Sequence, residues 1–192
     1  MDQLIQIIPV LSEEEVRQVN KHREALELTR SVVLSKGVVD GRTSIERNLD
    51  ENHEITKMIH EKMNLALDEY KRRVVNIHWA YNTHPIPGAV NTKSWREDIR
   101  IIEYDEGKEY RFHRDSSHNK RHSQYHREIS IILYLTDDFE GGETEFLHAK
   151  YKPKKGYALI FPSNWCFIHQ GCKVTKGVKR IAVTWYYVNS TE

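Results

Sequence analysis

A series of short strand-like segments after residue 73 limits the folds that this chain can adopt. Five of the six segments are rich in Val, Ile, Tyr or Trp, and turns at Gly107, Gly141-Gly142 and Gly177 separate several of them. Strands this short and this often interrupted are typical of a β-sandwich or a jelly roll. The six candidate strands are Val74–Trp79, Ile99–Tyr104, Glu128–Leu135, Glu143–Leu147, Tyr157–Phe161 and Arg180–Val188.

Two helices are predicted ahead of these strands. Ser12 and Glu15 form a capping box, which predicts the start of a helix that runs to about Arg30. Apolar residues at helical spacing predict a second helix from Asn52 to Arg72. Because the helices precede the strands instead of alternating with them, the predicted class is α+β, a jelly roll with N-terminal supporting helices.

The sequence predicts one domain over residues 1–192. This length is enough to bury a sizeable core, and neither an internal repeat nor a linker divides it. We expect helical support over about residues 1–72 and the jelly-roll core over about residues 73–188.

Composition excludes several classes of function. The formal net charge of +1 lacks the strongly basic character of a dedicated nucleic-acid binder. No run approaches the roughly 20 apolar residues that span a bilayer, and Met1-Asp2-Gln3 lacks the basic start of a secretory signal. The two cysteines, Cys166 and Cys172, are too few for a disulfide framework. We therefore predict a cytoplasmic protein with reduced thiols and no membrane partner, and the charge balance disfavours a nucleic-acid partner.

Candidate metal ligands lie among the strands. His113 and Asp115 form an H-x-D pair, and residues two apart on an extended segment point to the same side. This pair alone is frequent by chance in a sequence with eleven histidines. His169, which follows the strand Tyr157–Phe161, adds a third ligand. Two histidines and one carboxylate are the facial triad of non-haem iron oxygenases, which leaves positions open for a cosubstrate and O₂.

A lysine on the last strand supplies a candidate anion site. Strand alternation places Lys179 on one face with Ile181, Val183 and Trp185, and it places Arg180 on the other face. A lysine that points into an apolar interior needs an anionic partner. The far carboxylate of a 2-oxo acid that chelates iron with its other end would meet this need.

Further segments accompany these candidates in a fixed order. They are Tyr104-Asp105-Glu106-Gly107, Tyr110, His113-Arg114-Asp115, Arg127–Leu135, Gly141–Phe146, Lys152–Phe161, His169, Gly177, Lys179 and Trp185. In this order they resemble the prolyl 4-hydroxylase branch of the Fe(II)- and 2-oxoglutarate-dependent oxygenases. The resemblance covers roughly Asp98 to Tyr187, with a weaker similarity at Arg42-Thr43-Ser44.

The resemblance implies a fold and a set of roles. It implies a double-stranded β-helix that binds Fe(II), uses O₂, and holds 2-oxoglutarate through Lys179 and the hydroxyl groups of Tyr104 and Thr144. It also places Arg127 and Trp185 near the substrate, and it suggests ascorbate as a reductant. Core packing is an equally good interpretation of the two aromatic residues, and a surface position is an equally good one for Arg127.

The implied activity is hydroxylation of prolyl residues in a protein or peptide. One alternative keeps the chemistry but changes the substrate to a free amino acid, another side chain or an alkylated base. Base-repair enzymes carry an asparagine where this chain has Ile102, and they carry a pair of arginines on the last strand, where this chain has Lys179 and Trp185. The other alternative, a non-catalytic cupin-like metal-binding module, is disfavoured by the intact triad and the lysine. The oligomeric state is left open.

The segment Ser116–His126 departs from the collagen-type enzymes, because it is rich in His, Ser, Asn and basic residues. His118, His122 and His126 repeat every four residues and could bind zinc if they lay on a helix. Neither a capping residue nor an apolar stripe predicts a helix there. We predict a lid over the substrate instead.

Overall fold

The computed structural model describes residues 1–27, 29–31, 34–35, 38–39, 44–82, 96–116 and 125–189. In these ranges the helices are α1 (Glu13–Arg23) and α2 (Glu54–Ile77), and single 3₁₀ turns cover Asp2–Leu4, Trp79–Asn82 and Trp165–Phe167. Neither α-helix is long and apolar enough to cross a membrane.

Fifteen strands are present in the same ranges. They are β1 (Gln6–Pro9), β2 (Thr29–Ser31), β3 (Leu34–Ser35), β4 (Val38–Val39), β5 (Ser44–Asn48), β6 (Arg100–Tyr104), β7 (Tyr110–His113), β8 (Tyr125–Tyr134), β9 (Glu140–Gly141), β10 (Thr144–Phe146), β11 (Lys150–Tyr151), β12 (Tyr157–Pro162), β13 (His169–Gly171), β14 (Val174–Lys176) and β15 (Lys179–Asn189).

Two antiparallel sheets form the jelly roll. The larger sheet has the strand order β1-β12-β8-β15-β6-β5-β2, and the smaller has the order β11-β10-β13-β7. Two further strand pairs, β14-β9 and β3-β4, complete the described pairings. An apolar cluster between the sheets includes Phe146 of the smaller sheet and Phe161 and Val183 of the larger one. The predicted α+β jelly roll is confirmed.

A second core lies between the helices and the outer face of the larger sheet. Ile59, Met63 and Tyr70 of α2 belong to the same buried cluster as Leu133 of β8 and Tyr186 of β15. Burial of side chains of this size contributes about 1.5–3 kcal/mol each. The helices therefore cover the outer face of the larger sheet. Its inner face lines the space between the two sheets.

The strand alternation predicted for β15 is confirmed. Ile181, Val183 and Trp185 belong to the cluster between the sheets, whereas Ala182 and Tyr186 belong to the cluster under the helices. Lys179 shares the inner face, since it lines the same cavity as Ile181, Val183 and Trp185.

Arg180 points to the helix side of the sheet. Its Nε lies 3.0 Å from Glu103, which also accepts hydrogen bonds from Arg23 and Arg47 at 2.8 Å each. This buried cluster ties α1, β5, β6 and β15 together.

The predicted capping box of α1 is confirmed, since Ser12 accepts a hydrogen bond from the Glu15 backbone and Glu15 accepts one from the Ser12 backbone. The predicted extension to Arg30 is wrong. The helix ends at Arg23, whose side chain is buried against Glu103. The chain then leaves the helix and adds Thr29–Ser31 to the edge of the larger sheet beside β5.

The strand predicted at Val74–Trp79 is also wrong, because α2 continues to Ile77. Val74 is fully buried and continues the apolar face of α2 formed by Ile59, Met63 and Tyr70. Packing of this face overrides the strand preference of Val74 and its β-branched neighbour. The other five predicted strands are confirmed, with boundaries moved by up to three residues.

Candidate metal centre and cosubstrate cavity

The three predicted metal ligands meet at one end of the smaller sheet. His113 ends β7 and lies opposite His169, the first residue of β13. Asp115 follows two residues after His113, and its carboxylate oxygens lie 3.4 Å from His113 Nε2 and 3.8 Å from His169 Nε2. One ligand atom from each residue lies within 4.8 Å of the others. This arrangement can hold one metal ion on one side and leave the other side open.

Hydrogen bonds fix the tautomer of both imidazoles. His113 Nδ1 lies 2.8 Å from the Arg111 carbonyl oxygen, and His169 Nδ1 lies 3.0 Å from the Phe167 carbonyl oxygen. A carbonyl oxygen only accepts, so Nδ1 carries the proton in each ring. In the neutral form of each ring Nε2 is then the unprotonated nitrogen, and it faces the Asp115 carboxylate as metal ligation requires.

The ionisation states also suit a metal. Burial alone would raise the pKa of Asp115, but the neighbouring His169 and His113 outweigh it and hold that pKa well below its usual range. Burial lowers the pKa of His169 to about 4, although Asp115 acts in the opposite direction. At neutral pH the site therefore presents a carboxylate and a neutral His169, which are the forms that bind cations.

Two buried serines support the carboxylate. Ser130 Oγ donates a 2.7 Å hydrogen bond to Asp115 Oδ2, and it lies 2.8 Å from Ser163 Oγ. Both serines are 1% exposed. The sequence analysis assigned neither of them. A signal was present, because Ser130 interrupts an apolar strand and lies on the same inner face as Ile132 and Tyr134.

A cavity of about 330 Å³ extends from the triad between the two sheets. Lys179 lines it and is 3% exposed, with its Nζ 2.7 Å from the Gly142 carbonyl oxygen. No described carboxylate lies within ion-pair distance of this Nζ, and burial lowers the pKa of Lys179 to about 8. The cavity thus contains a buried cation that a bound anion would stabilise.

The two residues predicted to supply hydroxyl groups, Tyr104 and Thr144, line the same cavity as this lysine. Thr144 Oγ1 lies 2.7 Å from the hydroxyl of Tyr134, and the Tyr104 ring lies 5.5 Å from Lys179 Nζ. Tyr134, whose ring is 5.9 Å from the same nitrogen, was not assigned from the sequence. Strand alternation could have identified Tyr134, because it lies on the same inner face of β8 as Ser130.

A glycine at position 142 allows the Lys179 side chain to lie against the backbone there. Gly142 has a φ of +67°, and an added Cβ would lie 2.7 Å from Phe139 and 3.2 Å from the Lys179 side chain. Any other residue here would be strained, would clash with the Phe139 ring and would crowd the Lys179 side chain.

The predicted substrate residues lie together at the mouth of the cavity. The Arg127 guanidinium lies 3.8 Å from the centre of the Trp185 ring, and it donates to both carboxylate oxygens of Glu97. It also lies 3.2 Å from the Asp115 carbonyl oxygen. Arg127 therefore orients its neighbours as well as lining the cavity.

Trp185 has an unused donor. The ring is 8% exposed, and its Nε1 makes no hydrogen bond to any described residue. The Nε1–H lies near enough to the Asp115 carboxylate to help lower its pKa, but it does not meet normal hydrogen-bond geometry. An acceptor that enters the cavity would satisfy it.

Part of the predicted substrate region lies outside the described residues. His118 and His122 belong to that part. Arg42 and Thr43, which carry the weaker similarity, also lie outside the described residues. His126 lies in β8, so the three histidines do not share one described element.

The fold and the site together define a double-stranded β-helix with two histidines, one carboxylate and a buried lysine in one cavity. Residues 99–188 match the family model described as the 2OG-Fe(II) oxygenase superfamily. The predicted resemblance to its prolyl 4-hydroxylase branch is confirmed.

Two curated relatives show where the similarity lies. A putative prolyl 4-hydroxylase of Acanthamoeba polyphaga mimivirus is 35% identical over 107 residues, covering 47% of this chain and 44% of the relative. Prolyl 4-hydroxylase 2 of Arabidopsis thaliana is 31% identical over 127 residues, covering 49% and 42%. The chain therefore spans less than half the length of these relatives.

A solved structure matches over nearly the whole fold. The viral collagen prolyl hydroxylase of Paramecium bursaria Chlorella virus-1, in its 2OG complex, superposes with a TM-score of 0.68 and 23% identity, covering 96% of each chain. At this identity the match shows a shared fold.

Proposed function

We propose that this protein is an Fe(II)- and 2-oxoglutarate-dependent dioxygenase that hydroxylates prolyl residues in a protein or peptide. One observation carries the proposal: the triad of His113, Asp115 and His169 shares a cavity with the buried cation of Lys179. A metal ion and a dicarboxylate can bind there side by side, because the triad can hold the metal ion and Lys179 can pair with a carboxylate.

The donor set fits iron. Two neutral imidazoles and one carboxylate suit a non-haem Fe(II) centre and leave positions for a bidentate cosubstrate and O₂. Bound Fe(II) and 2-oxoglutarate would together supply the O₂ chemistry, with succinate and CO₂ as the co-products and ascorbate as a reductant of the iron.

The cavity fits 2-oxoglutarate at its other end. Lys179 would bind the far carboxylate as a point charge, and the hydroxyl groups of Thr144 and Tyr134 lie beside each other to donate to it. Tyr104 lines the same end. The aliphatic walls, formed by Ile102, Ile132, Ile181 and Val183, would exclude water.

A peptide substrate is supported by the names of the relatives and by the mouth of the cavity. The viral protein that shares the fold is called a collagen prolyl hydroxylase, and a prolyl residue in a chain is its implied target. We assign Arg127 and Trp185 to the substrate side, where the Trp185 Nε1–H can donate to a backbone carbonyl. The segment Ser116–His126 follows Asp115 directly in sequence and is the candidate lid.

The protein is proposed to work in the cytoplasm. Both Cys166 and Cys172 are free thiols, which suits a reducing compartment.

Succinate formation tests the proposal. The protein would be incubated with Fe(II), ascorbate, 2-oxoglutarate and a library of proline-containing peptides, and hydroxylation would be read by mass spectrometry. We expect succinate and hydroxylated peptide in equal amounts, and neither product from the His113→Ala, Asp115→Ala or His169→Ala variants. Each variant should also lose most Fe(II) affinity in anaerobic titrations.

Two other results would redirect the assignment. Tight metal binding with no succinate under any condition would indicate the non-catalytic metal-binding module. Succinate formation coupled only to a free amino acid, another side chain or an alkylated base would keep the oxygenase chemistry and reject the prolyl substrate.

A further inference from the structure

Arg114 holds an unusual position at the cavity. It stands between His113 and Asp115, its side chain is exposed, and it lines the same cavity as they do. It forms no ion pair with any carboxylate in the described ranges. An exposed guanidinium beside a candidate active site is an available anion-binding group.

The other arginines at the mouth are already neutralised. Arg127 donates twice to Glu97, and Arg100 lies 2.9 Å from Glu46 and 3.2 Å from Glu97. Glu97 accepts a further short hydrogen bond from the Tyr187 hydroxyl. These two arginines are held by internal carboxylates, whereas Arg114 has no carboxylate partner in the described part of the chain.

The neighbouring sequence offers Arg114 no other counter-charge. Residues 116–127 contain no Asp or Glu, and residues 83–95 contain none either. Asp115 is the only acidic residue between Glu109 and Glu128, and its carboxylate belongs to the metal triad. Arg114 thus has no carboxylate partner among the described residues, and a bound molecule can supply one.

We propose that Arg114 binds a carboxylate of the peptide substrate, so that the preferred peptide carries Asp or Glu close to the target prolyl residue. This inference rests on the proposed prolyl hydroxylation and specifies its substrate. Lys179 takes the cosubstrate at the far end of the cavity, and Arg114 takes the acidic residue at the rim. Electrostatic complementarity of this kind sets specificity and the rate of encounter more than total affinity.

Matched peptides test the inference. Fluorescent peptides would share one prolyl residue and differ only in carrying Asp, Asn or Lys at each of the two positions on either side. Binding would be measured by anisotropy on protein loaded anaerobically with Fe(II) and 2-oxoglutarate, so the readout is independent of turnover. At one position at least, we expect Asp to bind roughly two- to fivefold more tightly than Asn, the range of an exposed ion pair. The preference should weaken as salt is added.

Charge reversal supplies the matched variants. Arg114→Glu should reverse the order of the Asp and Lys peptides, and Arg114→Gln should abolish the difference between them. Lys108→Glu makes the same change of charge at an exposed turn residue outside the cavity lining, and it should keep the wild-type order. Affinity for 2-oxoglutarate should be unchanged in all three variants.

The inference is overturned if the wild-type protein binds Asp and Asn peptides equally at every position, or binds none of them. It is also overturned if Lys108→Glu shifts the preference as much as Arg114→Glu does. The preference would then come from the overall charge of the protein and not from contact with Arg114. Failure of the proposed function looks different: neither hydroxylated peptide nor succinate would form, whatever the charge of the peptide.

Discussion

Ser130 Oγ donates a 2.7 Å hydrogen bond to Asp115 Oδ2, so one oxygen of the candidate metal ligand is already engaged by the protein. The other oxygen, Oδ1, faces His113 Nε2. A carboxylate held in this way presents a single oxygen to the metal. Partners that orient a ligand in this manner typically contribute 10–100-fold to metal affinity.

We predict that Ser130→Ala weakens Fe(II) binding by about 10–100-fold. The variant leaves Asp115 Oδ2 buried without its donor, which costs about 1–3 kcal/mol. Ser163→Ala is the matched control, because it removes the outer hydroxyl and keeps the Ser130–Asp115 hydrogen bond. Anaerobic Fe(II) titration of both variants checks this. Equal affinity in Ser130→Ala and wild type would show that the serine has no role in orienting the carboxylate.

The sequence was sufficient to locate the charged groups of the site. His113 and Asp115 are two residues apart on an extended segment, and Lys179 follows from the alternation of one strand, so local periodicity places all three. The sequence was not sufficient to locate groups that come together from different strands. Ser130 lies 33 residues from Ser163, and only the pairing of β8 with β12 brings them together.

The same limit explains the errors in the fold. The strand predicted at Val74–Trp79 has the residue types of a strand, but the deciding interaction is the packing of α2 against the larger sheet. Arg127 shows the limit at the mouth of the site, since its partner Glu97 is 30 residues away in sequence. No local pattern indicated that this arginine would be paired.

Lys179→Ala should raise the KM for 2-oxoglutarate strongly. Loss of the partner of a buried charge costs about 3–5 kcal/mol, which corresponds to a rise of at least about a hundredfold. Steady-state succinate formation at varied 2-oxoglutarate measures this.

The adjacent residue provides the control. Arg180 points to the opposite side of β15, where its Nε lies 3.0 Å from Glu103. Arg180→Ala should lower the free energy of unfolding by roughly 1 kcal/mol and leave the KM for 2-oxoglutarate unchanged. A larger effect on KM from Arg180→Ala than from Lys179→Ala would contradict the assignment of the two faces.

Cosubstrate binding should depend on pH through Lys179. Burial lowers the pKa of Lys179 to about 8, and binding of a carboxylate favours the charged form. Below this pKa the lysine is already protonated, so the affinity should be nearly constant. Above it, binding must take up a proton, and the affinity should fall about tenfold per pH unit.

An arginine in place of the lysine tests this explanation. Lys179→Arg keeps its charge throughout this range, because the guanidinium pKa lies above about 12. The variant should therefore bind 2-oxoglutarate more weakly than the wild-type protein does. Its dissociation constant should not change between about pH 7 and pH 9.5. Calorimetry on the Mn(II)-loaded proteins gives both profiles. A flat profile for the wild-type protein would refute the role given to the lysine.

We expect Arg127 to be needed for peptide hydroxylation but not for Fe(II) binding. Its guanidinium packs on Trp185, pairs with Glu97 and lies 3.2 Å from the Asp115 carbonyl oxygen. Arg127→Ala frees one face of the indole and leaves Glu97 with Arg100 and Tyr187 as partners. We expect peptide hydroxylation to fall by more than about tenfold, a change of about 1.4 kcal/mol or more in transition-state stabilisation. Fe(II) affinity and the slow decarboxylation of 2-oxoglutarate without peptide should change little.

Two further variants separate positioning from charge. Arg127→Lys keeps the positive charge but lacks the planar fork that contacts Glu97 and stacks on Trp185, so it should restore little peptide turnover. Tyr187→Phe removes one hydrogen bond to Glu97 and keeps the Arg127–Glu97 pair, so it should be close to wild type in peptide turnover. The ratio of succinate to hydroxylated peptide is the decisive measurement, since it rises only when cosubstrate turnover is uncoupled from the substrate. A parallel loss of both products in Arg127→Ala would instead assign Arg127 to the stability of the site, because the bond to the Asp115 carbonyl would then dominate its contribution.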